Sequence, residues 1–294
     1  MGYLANKKHE ARVNAFLRAF LALSGAMSLL AFGSARISFF LDEYRWQLYL
    51  LITAVFFYCL LRRFFVYALL AFVLGTVNYF AVSSAVGVFG SSSNSKDGIR
   101  LLFGTGTDNP EIVAKAVSDG GFHVVALSSP RLDGRDLKDS LPEKYSFLHP
   151  AEGWEDGFML ISLPVEVSGR VNLGETGADF AKVLTDGRAQ IFISVDFAGL
   201  SRQKTARALD NLSAFIRRQD DPVIIFGNFN TVAWSKTLGG FIAKNGLQVK
   251  NALTDNVRSL ILPPRHYILG YEQNNVSGSL IMPYLNSFSP FTRF

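Results

Sequence analysis

The chain has 294 residues and a mass of 32.4 kDa; 49% of its residues are hydrophobic and 18% charged, where a soluble domain usually carries about a quarter charged. That balance excludes a disordered, collagenous or coiled-coil chain, and a single cysteine, Cys59, excludes a disulfide scaffold. The net charge of +5 and the pI near 9.3 belong to one segment only. Residues 1–89 hold eight basic groups (Lys7, Lys8, Arg12, Arg18, Arg36, Arg45, Arg62, Arg63) and three acids (Glu10, Asp42, Glu43), and so carry the whole excess. Residues 90–294 are neutral overall. Basic residues flanking apolar runs are the topology signal of a membrane protein. They are not the footprint of a nucleic-acid-binding face, and no nucleic-acid partner is expected.

Three apolar runs lie in this segment: Ala19–Ala35, Trp46–Leu61 and Phe64–Phe89. Crossing roughly 30 Å of hydrocarbon takes about 20 apolar helical residues. The third run is long enough. The first two are extended by Arg18, Arg45 and Arg62, whose stems can lie along apolar surface while their charges reach water. The pattern predicts an all-α membrane domain over residues 1–89, with transmembrane helices at about 14–35, 46–61 and 64–89. A cleaved signal peptide would account for the first run alone, but no small-x-small cleavage site follows it and two further runs do. Lys7, Lys8 and Arg12 put the N-terminus in the cytoplasm. The neutral loop Arg36–Arg45 then lies outside, and the Arg62-Arg63 turn returns to the cytoplasm. The expected location is the inner (cytoplasmic) membrane of a bacterium, multi-pass, with the lipid bilayer as a partner and the C-terminal domain periplasmic or extracellular. The lack of cysteine in residues 90–294 suits an oxidising compartment. Gly90–Ser95 opens a flexible linker over residues 90–98.

Residues 99–294 alternate between strand and helix patterns. Ile99–Phe103 and Phe122–Leu127 read as buried strands around a helix over Asn109–Asp119, with Ile112, Val113, Ala116 and Val117 at helical spacing. Gly157–Leu163 and Gln190–Val195 are further strands. Ser201–Gln219 is an amphipathic helix with Leu209, Leu212, Phe215 and Ile216 on one face. Val223–Phe226 is a fully apolar strand, Trp234–Asn245 a helix stopped by Gly246, and Tyr267–Leu269 a last clear strand. The mixed order predicts an α+β fold: a two-sheet β-sandwich flanked by helices. GTGTDN at Gly104–Asn109 lacks the lysine of a phosphate loop. Asp133, Asp136 and Asp139, interleaved with Arg131, Arg135 and Lys138, read as a solvated loop. His123 and His149 have no partner motif.

Several segments resemble the endonuclease/exonuclease/phosphatase family in its membrane-anchored bacterial form. Pro222–Ser235, PVIIFGNFNTVAWS, is similar to the family's apolar strand ending in Gly-Asp-Phe-Asn with Trp-Ser close behind. Gly157–Pro164, GFMLISLP, is similar to its Gly-(apolar)-Ser-x-Pro strand, and Leu262–Leu269, LPPRHYIL, to its Pro-Ile-Asp-His segment. The resemblance implies a DNase I-like sandwich over residues 99–294 and metal-dependent phosphoester hydrolysis. Hard Mg²⁺ or Mn²⁺ ions would be held by carboxylates.

The implied site positions have lost that chemistry. Gly104 stands for the metal-site asparagine, Ser129 for the ligand glutamate, Asn228 for the aspartate of Gly-Asp-Phe-Asn and Arg265 for the aspartate beside His266. Neither Val195 nor Asp196, where a histidine is expected, is one. Asn230 and His266 are retained and, with Arg265, are the candidate ligand-binding residues. The resemblance therefore implies a degenerate scaffold: a membrane-anchored pseudo-enzyme, without catalytic residues or cofactor, that binds protein partners in the cell envelope. Two alternatives stay open. One is a divergent hydrolase using Asp108, Asp196 and Asn230 on a divalent metal. The other is an inert sensor of an anionic phosphate ligand at Arg265.

Overall fold

The computed structural model describes residues 2–32, 41–86, 98–105, 110–128, 137, 140–141, 143–148, 158–185, 187–252, 265–271 and 276–281. The chain divides into two compact units, one formed mainly by Met1–Val88 and the other mainly by Phe89–Ala233 and Thr237–Leu260. The serine-rich linker lies outside the described residues.

The first unit contains α1 (Gly2–Phe32), α2 (Arg45–Leu61) and α3 (Phe65–Val86). Two stretches, Glu10–Ala31 and Phe65–Ser83, are long and apolar enough to cross a membrane; α2, at 17 residues, is shorter. Small residues let α2 and α3 approach closely. A Cβ added at Gly75 would sit 3.5 Å from Ile52 Cγ2, and Ala68 and Ala71 are buried against Cys59 and Ile52. Asn78, fully buried on α3, donates from Nδ2 to Ser28 Oγ on α1 (2.8 Å) and to Leu74 O (2.9 Å). That interhelical bond gives an apolar unit a buried polar fixed point.

The second unit is a two-sheet sandwich. Its strands are β1 (Ile99–Thr105), β2 (Val124–Ser128), β3 (Ser146–Leu148), β4 (Phe158–Ile161), β5 (Val165–Asn172), β6 (Gly177–Thr185), β7 (Arg188–Asp196), β8 (Val223–Asn228), β9 (Gln248–Ala252), β10 (His266–Gly270) and β11 (Val276–Ile281). Its helices include α4 (Pro110–Gly120), α5 (Arg202–Ile216) and α6 (Lys236–Lys244). One sheet runs β11-β1-β2-β4-β3, the other β5-β6-β7-β8-β10-β9. Alternation explains the layers. Leu101, Phe103, Val124 and Ala126 of the first sheet meet Ala181, Phe192, Ile224 and Phe226 of the second in the central core. Leu102, Val125 and Leu127 point the other way, onto Val113 and Val117 of α4. On the second sheet's outer face, the Phe215 ring of α5 lies 5.2 Å from that of Phe180, tilted by 52°.

The strands foreseen from apolar runs are present, and β8 lies inside its sheet as expected. Tyr267–Leu269 is not the last strand, because β11 follows and pairs in parallel with β1. The sequence reading also lacks β3, β5, β6 and β9. β5 is an edge strand, largely exposed, so selection did not make it apolar.

Candidate functional site

The carboxyl ends of β7 and β8, in parallel register, bring Asp196 beside Asn228. Antiparallel β10 brings His266 to the other side of Asn228. Ser128, at the end of β2 in the opposite sheet, reaches the same point and donates to Asp196 Oδ2. Gly227 makes the close approach possible: its φ is 133°, and a Cβ there would lie 2.0 Å from Val195 O. Only glycine tolerates that combination.

Hydrogen bonds close this cluster upon itself. Asp196 Oδ1 accepts from Asn228 Nδ2 (3.0 Å) and from the Ala198 N–H (2.8 Å). Asn228 Oδ1 accepts from the Asn230 N–H (2.9 Å). Asn230, left-handed at φ 52°, donates from Nδ2 to Leu200 O (2.8 Å) and accepts from Arg265 Nη1 (3.1 Å). The Arg265 carbonyl accepts from Phe229 N–H (2.9 Å). Three loops are thus pinned by one chain of polar bonds, and Asn230 serves the loop backbone at its centre.

The candidates divide accordingly. Asn228, Asn230, Arg265 and His266 are brought together. Gly104 is buried in β1, paired with Leu127 and Ile281. Ser129, Asp108, His149 and the cluster of Asp133, Asp136 and Asp139 lie outside the described residues. Sequence reasoning missed Ser128, whose neighbour Ser129 drew attention by family position. It also missed that Asp196 is the hub; its place after the alternating Ile191, Ile193, Val195 was the available signal. His123 belongs to the opposite end of the first sheet, where its Nδ1 accepts from the Arg100 N–H (3.0 Å). Burial, with Arg100 and Lys144 nearby, lowers its pKa.

A divalent metal ion needs several free oxygens. Here Asp196 spends both oxygens on donors, Asn228 turns its amide N–H₂ to that carboxylate, and Arg265 adds positive charge at Asn230. Among the described residues no group of three or more His, Cys, Asp or Glu could hold a metal. The described residues do not fit the ion.

His266 is largely buried, its ring 5.8 Å from Phe103, and its Nε2 has no hydrogen-bond partner among the described residues. Burial lowers its pKa from 6.5 to about 4; Asp196 opposes that shift and Arg265 adds to it. The unfolded chain binds a proton that the folded one refuses between those values. Stability is therefore full above about pH 6.5 and falls as pH drops toward 4, by at most about 3 kcal/mol. Melts of the detergent-solubilised protein should show this slope, and His266→Phe should flatten it. An unchanged slope in the variant would assign the acid sensitivity to other groups.

No protein-family model matches the chain, and no curated protein matches its sequence. Solved structures do. A mannosyl-6-phosphatase of Bacteroides thetaiotaomicron is similar at TM-score 0.50 and 12% identity, over 60% of this chain and 86% of that one. An endonuclease/exonuclease/phosphatase family protein of the same species is similar at TM-score 0.49 and 13% identity, over 58% and 82%. One from Bacteroides vulgatus gives TM-score 0.48 and 14% identity, over 58% and 86%. With two mixed sheets flanked by helices, the second unit has the fold of the endonuclease/exonuclease/phosphatase proteins.

Proposed function

We propose that this protein is a multi-pass membrane protein whose phosphoesterase-fold domain has given up hydrolysis and serves as a binding or scaffold subunit of a cell-envelope assembly. The apolar helices of the first unit support membrane residence, and the basic residues at Lys7, Lys8, Arg12, Arg62 and Arg63 support a cytoplasmic N-terminus and an extracytoplasmic C-terminal domain.

One observation supports the loss of chemistry: the Asp196 carboxylate is engaged on both oxygens, accepting from Ser128 Oγ, Asn228 Nδ2 and Ala198 N–H. Metal-assisted hydrolysis needs a cation to polarise the phosphoryl oxygen and activate water. A single engaged carboxylate beside an arginine does not hold one. Losing a general acid–base group alone costs about 10²–10⁴-fold, and burial, which holds His266 neutral near pH 7, removes it as a general acid there.

The intact protein in detergent should show no Mg²⁺- or Mn²⁺-dependent hydrolysis of aryl phosphates, inositol phosphates or nucleic acid. Metal-dependent turnover that Asp196→Asn abolishes would defeat the proposal in favour of a divergent hydrolase. Affinity capture of the intact protein, with a variant lacking residues 99–294 as the control, then identifies what the scaffold carries.

A further inference from the structure

We propose that the α2–α3 hairpin holds one anionic phospholipid, its phosphate at Arg62 and Arg63 and an acyl chain in the groove between the helices; this rests on the membrane reading of the first unit given above.

The groove is a cavity of about 280 Å³ running from Tyr49 and Tyr79 to Phe56, Phe57 and Phe72, with Thr53 along its wall. A closed apolar cavity of about 150 Å³ already binds benzene. The Thr53 hydroxyl is spent on its own helix, donating to Tyr49 O at 2.8 Å. Ring faces therefore dominate the wall: Phe56 lies 5.9 Å from Phe72, and Tyr49 lies 5.7 Å from Tyr79. Such a wall suits a hydrocarbon chain better than the polar face of another helix.

The hairpin tip supplies the charge. The Phe64 N–H donates to Cys59 O (2.8 Å) and the Arg63 N–H to Leu60 O (3.1 Å), a helix-ending motif that places Arg63 in the left-handed region at φ 60°. Glycine usually fills that position because it has no Cβ to strain. An arginine there runs against the backbone's preference. Both Arg62 and Arg63 are exposed, and among the described residues neither forms an ion pair. Two guanidinium groups match a phosphate in geometry and charge, and the cytoplasmic leaflet expected at this turn is the anionic one.

The spacing joins the two parts. At about 1.5 Å per residue, Phe57 lies roughly 8 Å and Tyr49 roughly 20 Å from Arg62 along the helix. One leaflet's hydrocarbon is about 15 Å deep. A chain descending from a headgroup at the tip passes through the groove to the bilayer midplane.

The test uses the full chain in nanodiscs of phosphatidylcholine doped with phosphatidylglycerol, extracted gently and weighed by native mass spectrometry. The wild type should retain one phosphatidylglycerol in preference to phosphatidylcholine. Arg63→Gly, which relieves the backbone and keeps the fold, should lower that retention about five-fold. Thr53→Phe, which fills the groove, should abolish it, while outward-facing Val73→Phe should not. Equal retention of both lipids, retention unchanged in Arg63→Gly, or a second copy or partner helix held at the groove would each overturn the site. Alkaline carbonate extraction of native membranes reads the membrane proposal separately. Release of the chain sinks that proposal, whereas an integral protein without lipid preference sinks only the groove.

Discussion

Asn228→Asp is expected to lower stability by about 4 kcal/mol at pH 7 and to make it depend on pH in a way the wild type does not. The substitution replaces the amide that donates to Asp196 at 3.0 Å with a second carboxylate. Two negative charges at that separation repel by about 5 kcal/mol at an effective dielectric of 20. The folded protein escapes the full cost by taking up a proton, which then bridges the pair. Protonating a carboxyl of ordinary pKa near 3.9 at pH 7 costs about 1.4 kcal/mol per unit, which sets the ceiling near 4. The sign follows from the raised folded-state pKa: the destabilisation is absent below about pH 4 and grows as pH rises through neutrality. The comparison is made in the His266→Phe background, because a carboxylate at position 228, next to His266 in register, would itself alter the opposite slope that His266 contributes. A melting difference that is small and flat between pH 5 and 8 would show that Asn228 and Asp196 are not coupled and that Asp196 is not engaged by this amide. Mn²⁺ that restores the variant and leaves the wild type unaffected would show that one amide separates this rim from a metal site.

Gly227→Ala should cost more, above about 4 kcal/mol, a large share of the 5–15 kcal/mol of an ordinary domain. Its Cβ would lie 2.0 Å from Val195 O, and its φ of 133° is one that side-chain-bearing residues rarely adopt. The clash is with backbone in a neighbouring interior strand, so no rotamer relieves it. Either β8 moves away from β7 or the turn into Asn228 and Phe229 is lost. The second unit should melt at least about 8 °C lower, by about 2–4 °C per kcal/mol at this size, or fail to accumulate folded. Gly240→Ala in α6 is the control: nothing lies within 4 Å of its added Cβ, and alanine suits a helix better than glycine by about 1 kcal/mol. A Gly227→Ala protein that melts with the wild type would mean that the strands do not pack as closely as described.

The anionic-ligand sensor reading bears on both results. Arg265 is exposed but tied to Asn230 Oδ1 at 3.1 Å. An anion there would have to compete with that bond, and Asn228→Asp would add a negative charge close by. Phosphate that stabilises the wild type but not Asn228→Asp would favour a sensor over a scaffold.

The sequence by itself determined the charge division at residue 89, the apolar helices, and the strands whose burial on both faces forces continuous apolar runs: β1, β2, β4 and β8. Periodicity also revealed α5, because one face must meet the second sheet. The same logic hid β5, which buries little as an edge strand, and β9 and β11, which depend on neighbours far along the chain. At the candidate site, residue types carried the expectation of missing metal ligands: Gly104, Ser129, Asn228 and Arg265 are not carboxylates. Which of these residues meet needed three dimensions. Ser128 and Asp196 are 68 residues apart in sequence and meet across the two sheets. Register alone brings Asn228 between Asp196 and His266. Hydrogen bonds between side chains leave no trace in local composition, because either partner could equally have faced water. Only packing decides which groups are buried together, and burial is what makes Asp196 the centre of a polar network.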